Sequence, residues 1–273
     1  MTINQETILP NIIFTALNAG KAIMEIYETD FGVEFKADKS PLTLADKKAH
    51  AVISKDLEKT GLPVLSEEGR EINYDKRKSW NRFWMVDPLD GTKEFVKRNG
   101  EFTVNIALIE NRIPVLGVVY APVLDVLYFG SVETGAFMIN NASKKMQENS
   151  VGNWKEIAVE LPLQSKENVF KIVASRSHLS LETETFINDL KKTHPNAEIV
   201  SIGSSLKLCL IAEGNANVYP RFAPTMEWDT AAGHAIISAA NGTVKKANDI
   251  NIDLTYNKEN LLNPWFIGSA KAQ

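Results

Sequence analysis

The sequence predicts a mixed α/β (α+β) protein, a sandwich of helices and sheets in two halves with a site between them. Three observations predict it. The chain begins with apolar residues at helical spacing, continues into a run of short β-rich segments, and after residue 165 alternates strand with helix. At 273 residues, 44% hydrophobic and 23% charged, the chain is long enough to bury a sizeable core.

The first helix is expected over residues 6–28, where Ile8, Ile12, Ile13, Leu17, Ile23 and Ile26 recur at roughly helical spacing. A second covers 45–59, with Ala49, Val52, Ile53 and Leu57 as its apolar stripe. Phe83-Trp84-Met85-Val86 reads as a buried strand. Thr103–Ile109, Val115–Tyr120, Val126–Phe129 and Ala136–Ile139 are broken by Asn111-Arg112, Pro122 and Gly135, the pattern of an antiparallel meander. Residues 141–155 are polar and read as a loop. Beyond them, Val169–Ala174 and Asn217–Tyr219 read as strands, and Leu181–Leu190, Leu206–Ala212 and Asp229–Ala240 as helices. The change of pattern places a boundary near residue 165, between halves 1–165 and 166–273.

The formal net charge of −4 argues against a general nucleic-acid binder, which carries a basic stripe. A small anionic substrate remains compatible, because a metal or a local basic cluster can reverse the field in one cleft. The single cysteine, Cys209, excludes an intramolecular disulfide and reads as a small buried hydrophobe. Residues Met1–Glu6 lack the basic and apolar regions of a secretory signal, and no apolar run reaches the roughly 18 residues of a membrane span. A cytoplasmic setting is expected. Peripheral contact with the cytoplasmic membrane face and the oligomeric state are left open.

The most informative segment is Val86-Asp87-Pro88-Leu89-Asp90-Gly91-Thr92, where an apolar strand runs into two aspartates. Pro88 fixes one φ angle and has no N–H. A turn there can point Asp87 and Asp90 to one side with the Leu89 carbonyl between them, three hard oxygens suited to magnesium. Gly91 allows close backbone approach, Thr92 adds a hydroxyl, and a helix starting here would offer N–H groups to a phosphate. The competing reading is an Asx turn with solvated aspartates. Glu67-Glu68 follows a short apolar run and also reads as a solvated pair. Asp229, in Trp228-Asp229-Thr230-Ala231-Ala232-Gly233, reads equally as a helix N-cap. These acidic segments contain no obvious lysine or arginine partner, and bound cations would relieve their repulsion. His50, His194 and His234 lack metal-ligand spacing and read as structural or surface residues.

Together, Glu67-Glu68, Asp87-Pro88-Leu89-Asp90-Gly91-Thr92 and Trp228-Asp229-Thr230-Ala231-Ala232-Gly233 resemble the inositol monophosphatase superfamily of magnesium-dependent phosphatases. Ser40–Asp46, Lys93–Thr103, Ser175-Arg176-Ser177-His178 and Gly203-Ser204-Ser205-Leu206-Lys207 look like its bacterial 3'(2'),5'-bisphosphate nucleotidase branch, the CysQ type. The resemblance implies a layered α/β/α/β/α sandwich of the inositol monophosphatase / sugar phosphatase type. It implies hydrolysis of 3'-phosphoadenosine 5'-phosphate to AMP and phosphate, with 3'-phosphoadenylyl sulfate as a further substrate and a link to sulfate assimilation. It implies two or three magnesium ions held by Glu67, Asp87, the Leu89 carbonyl, Asp90 and Asp229. Glu67, Thr92 and Asp46 become the catalytic candidates, the last two as a pair near the attacking water. Gly91, Thr92, Ser175, His178, Gly203, Lys207, Arg221 and Asp229 become the candidates for substrate contact, Arg221 toward a second phosphate. The N-terminal half would carry most metal ligands, and the C-terminal half Asp229 and the recognition residues. An inositol or sugar phosphatase of the same superfamily and a non-catalytic metal-dependent ligand sensor are the rival expectations. A calcium-binding module is disfavoured, since the acids are scattered along the chain.

Overall fold

The computed structural model describes residues 4–29, 44–148, 154–163, 169–174 and 180–271. Helices α1 (Gln5–Tyr27) and α2 (Leu44–Glu58) come first, then β1 (Val64–Ser66), α3 (Tyr74–Arg77), β2 (Arg82–Asp90) and α4 (Thr92–Val96). A meander follows: β3 (Thr103–Glu110), β4 (Ile113–Ala121), β5 (Val126–Ser131) and β6 (Gly135–Asn140). Short helices α5 (Ala142–Glu148) and α6 (Trp154–Ile157) lead to β7 (Val159–Leu161). The remainder is β8 (Lys171–Val173), α7 (Leu181–Thr193), β9 (Glu198–Val200), α8 (Leu206–Glu213), β10 (Val218–Arg221), α9 (Glu227–Ala239), β11 (Thr243–Lys246), β12 (Asp249–Asp253) and β13 (Phe266–Ser269).

Among the described residues the strands form two sheets. One has the order β1-β2-β3-β4-β5-β6-β7, and the other β12-β11-β13-β10-β8-β9. In the first sheet β1 runs parallel to β2 and every later pairing is antiparallel. The β3–β4 turn places both Asn111 and Arg112 at positive φ, 49° and 69°, the backbone that twists a tight hairpin correctly.

Side-chain alternation along the strands sorts the core into layers. On one face of the first sheet, Trp84, Val86, Ile106 and Leu116 meet Ile13 and Ile23 of α1 and Ile53 of α2. The opposite residues, Phe83, Met85, Ala107 and Val119, pack on α8 and α9 together with Tyr219 and Phe266 of the second sheet. The far face of that sheet holds Ile172 and Val218 against Ile187 of α7. The result is the five-layered α/β/α/β/α sandwich. Gly117 lets α9 lie against β4, because a Cβ there would collide with the Ala232 carbonyl.

Two expectations need correction. Residues 141–155 are not simply a loop. α5 forms because Asp125 accepts the Ser143 N–H at 2.8 Å, and Met146 and Trp154 find buried seats. Trp154 meets Phe129 edge-on, ring centroids 5.1 Å apart. α9 begins at Glu227, so Asp229 lies within its first turn rather than at the cap. The second sheet is mixed: β10–β13, β13–β11 and β11–β12 are antiparallel, while β8 runs parallel to β10 and β9. Among the described residues no helix is long and apolar enough to cross a membrane.

Candidate active site

The acidic constellation is assembled by a kink in β2. Asp87 pairs with Asn105 and Asp90 with Thr103, so Pro88 and Leu89 together face the single residue Val104. Two residues opposite one is a β-bulge, which re-aims side chains and tolerates a proline. Asp87 Oδ1 accepts the Leu89 N–H at 3.1 Å, so the Asx turn is present. Its aspartate is nevertheless 1% exposed and not solvated. Gly91 follows at φ 92°, and α4 starts at Thr92. A Cβ on Gly91 would also lie 3.1 Å from Ser204 Cβ, a tight approach that adds to the strain of the positive φ.

Neighbouring elements bring the other acids. Glu67 leaves the end of β1, its N–H donating to the Val86 carbonyl at 3.1 Å. Glu67 is exposed as a whole, yet its carboxyl end faces other acids and shares a hydrogen bond with Asp87. Asp46, in the first turn of α2, is buried and its charge is felt at Glu67. Asp229 Oδ2 accepts the Met226 N–H at 2.9 Å, which fixes its side chain back over the helix start. That start is itself anchored. Glu227, fully buried, pairs with Lys258 Nζ at 2.5 Å and accepts the Lys258 N–H at 2.9 Å.

Electrostatics binds these acids into one cluster. Burial raises the Asp87 pKa well above the carboxylate range, and the charges of Glu67, Asp90 and Asp229 raise it further. Glu67 is raised by burial and by Asp90, Glu68 and Asp46. Asp229 is raised by burial and Asp90, against the opposing Met226 N–H and Arg221. Among the described residues, no three His, Cys, Asp or Glu side chains close into a metal cage in this arrangement. Crowded carboxylates without a cation between them share protons, and Glu67 and Asp87 are joined by a side-chain hydrogen bond here. The donor chemistry fits a hard divalent cation: anionic oxygens drawn together in one cleft, with Glu67, Asp87 and Asp229 each destabilised in the charged form.

Beside the acids lies a cavity of about 80 Å³, lined by Asp90, Ser204, Ser205, Lys207, Arg221 and Asp229 among others. Lys207 Nζ donates to the Ile202 carbonyl at 3.2 Å. Burial lowers its pKa, while Asp90, Glu94 and Glu101 oppose the shift. Arg221 Nη2 donates to the Pro224 carbonyl at 3.1 Å, and its buried Nε has no partner among the described residues. The expectation that the acids have no cationic neighbour is therefore corrected. Lys207 and Arg221, distant in sequence, fold against Asp90 and Asp229. Gly203 sits at the same corner, its N–H donating to Glu101 Oε2 at 2.8 Å. Ser175 and His178 lie outside the described residues.

Sequence reading missed Ser205, Asn105, Glu101 and Glu227. Ser205 lies inside a segment singled out for its flanking residues, and Glu227 directly precedes Trp228. In both cases the deciding partner comes from a different element. The three histidines among the described residues make internal contacts: His234 Nδ1 meets Tyr256 Oη at 3.0 Å, His194 stacks on Phe170, and His50 Nδ1 lies 3.0 Å from Ser66 Oγ.

The sequence signature of the inositol monophosphatase family matches residues 4–265. The chain belongs to that family. Within the inositol monophosphatase family it is 46% identical, over 94% of its length and 98% of the relative's, to a Salmonella typhimurium protein named 3'(2'),5'-bisphosphate nucleotidase CysQ. It is 45% identical to the protein of that name from Escherichia coli, with the same coverage. The crystal structure of CysQ from Bacteroides thetaiotaomicron superposes with a TM-score of 0.90 at 53% identity, covering 98% of both chains. The Thermotoga maritima inositol monophosphatase, at 22% identity and a TM-score of 0.70, shares the fold.

Proposed function

We propose that this inositol monophosphatase family member is a 3'(2'),5'-bisphosphate nucleotidase, a magnesium-dependent phosphomonoesterase that converts 3'-phosphoadenosine 5'-phosphate to AMP and phosphate. The observation that carries the reading is the juxtaposition of a buried acid cluster with a cation-lined cavity of about 80 Å³. One arrangement suits a scissile phosphate on metal, the other a second anionic group on the same small molecule. The relatives named for this activity match almost end to end.

Glu67, Asp87, the Leu89 carbonyl, Asp90 and Asp229 would hold two or three magnesium ions. Bound magnesium supplies charge neutralisation on the phosphoryl group and lowers the pKa of water. The chain's own groups do the rest. Glu67 orients the attacking water, and Thr92, oriented by Asp46, takes or relays its proton. The N–H groups of Gly91 and Thr92 hold phosphate oxygens as charge shifts. No phosphoenzyme is required. Gly203, Lys207 and Arg221, with Ser175 and His178, contact the nucleotide, and Arg221 pairs with its second phosphate. Residues 1–165 form the half carrying most metal ligands, and 166–273 the half carrying Asp229 and the recognition residues. Action on 3'-phosphoadenylyl sulfate and a place in sulfate assimilation follow from the same assignment, as does a cytoplasmic setting.

The test is product analysis with purified protein. Chelated enzyme should leave 3'-phosphoadenosine 5'-phosphate intact, and magnesium should restore stoichiometric AMP and phosphate. Turnover that survives thorough chelation overturns the reading.

A further inference from the structure

We infer that Ser205 is a positioning residue that sets the Asp90–Asp229 pair for a shared cation. Ser205 is 3% exposed and stands directly before α8. Its Oγ lies 2.7 Å from Asp90 Oδ2, 2.8 Å from the Asp229 carbonyl oxygen, and 2.8 Å from Asn105 Nδ2. One hydroxyl thus joins β2, β3 and α9 at the point where the acids of both halves meet.

The proton count fixes the roles. A hydroxyl donates once and accepts twice. Asn105 Nδ2 donates to Ser205, so the single Ser205 proton goes to one of two oxygens. The carboxylate is the stronger acceptor, and Asp90 Oδ2 takes it. Reversing the Asn105 amide would make three acceptors contest that proton, so Nδ2 is the group facing Ser205. Asp229 Oδ2 is in turn occupied by the Met226 N–H. Each aspartate therefore has its Oδ2 bound to protein, and both residues line the cavity. Ser205 thus holds Asp90 by one carboxylate oxygen, as the Met226 N–H holds Asp229. Without the hydroxyl, Asp90 is free to rotate away from Asp229, driven by like-charge repulsion.

The inference rests on Asp90 and Asp229 being cation ligands. Its test is magnesium binding without substrate, followed by calorimetry on folded Ser205→Ala at fixed pH. The variant removes one atom and adds no bulk. Magnesium affinity should fall about ten-fold, the size expected for one hydrogen bond to a charged group. Ser205→Thr, which keeps the hydroxyl, should bind within about two-fold of wild type. With saturating magnesium, Ser205→Ala should recover most of kcat, because the hydroxyl acts through affinity rather than in the reaction. Unchanged affinity in Ser205→Ala overturns the inference, as does a thermal stability loss with affinity intact. If the alanine variant does not fold, a ten-fold loss in folded Ser205→Thr overturns it instead. A wild-type protein that binds no magnesium overturns the metal reading itself, which is a distinct outcome.

Discussion

The backbone N–H of Gly203 donates to the carboxylate of Glu101 at 2.8 Å, tying the approach to α8 to the chain just before β3. The contact tolerates no side chain. A Cβ on Gly203 would lie 2.8 Å from both Glu101 Cβ and its carbonyl oxygen. Gly203→Ala should therefore cost about 1–3 kcal/mol, the range for overpacking a tight contact. It should also displace Lys207, four residues on, and raise KM for the nucleotide. Urea unfolding and KM measured on the same preparation check this; wild-type stability would contradict the close approach.

The raised acids give the metal-free protein a defined pH dependence. For Glu67, Asp87 and Asp229 the folded pKa exceeds the unfolded one, so the folded state binds more protons between the two values. Their contribution to stability is lost as pH rises through the folded values. His234 acts oppositely: burial lowers it from 6.5 to about 4, so its contribution is lost as pH falls through that window. Above about pH 6.5 the opposing His234 contribution is complete and adds no further slope. Chelated protein should lose stability between about pH 6.5 and 8, and magnesium should abolish the loss while releasing protons on binding. Denaturant titrations with and without metal measure it, and a flat chelated profile would refute the assignment.

Asp87 and Glu68 should differ sharply. Asp87 is buried among Glu67, Asp90 and Asp229, whereas the Glu68 charge is felt at Glu67 and does not figure among the causes of the Asp87 shift. Asp87→Asn should lose more than the roughly 10–100-fold typical of outer-shell partners, and Glu68→Gln about ten-fold or less. The comparison is made on folded protein at saturating magnesium. Equal losses would remove Asp87 from the metal set.

Lys207 separates recognition from chemistry. Lys207→Ala should lower kcat/KM for 3'-phosphoadenosine 5'-phosphate about ten- to a hundred-fold, mainly through KM, as expected for a lost charge-assisted contact. Residual activity on inositol 1-phosphate should stay nearly unchanged. Because Lys207 also faces Asp90, an equal fall on both substrates would mean that it supports the metal site instead.

Much of this was legible in the sequence because the signals were local. The meander announced itself through alternation broken by turn residues, and Asp87–Thr92 is contiguous, so its turn and its acids could be read together. β1, β7 and β9 are three residues each, too short for a pattern to register. α5 and α6 were hidden because their stability comes from distant seats for Met146 and Trp154 rather than from their polar sequence. The cationic wall of the cavity was hidden for a similar reason. Lys207 and Arg221 come from α8 and β10, and only the packing of those elements against β2 and α9 places them beside Asp90 and Asp229.

The central claim is substrate class, and kcat/KM measured side by side tests it most directly. Phosphate release is followed with magnesium from 3'-phosphoadenosine 5'-phosphate, inositol 1-phosphate and fructose 1,6-bisphosphate. The cavity beside the acids predicts a preference of about a hundred-fold for the nucleotide, the scale of one lost charge-assisted contact. Equal or greater efficiency on the inositol or sugar phosphate would contradict it.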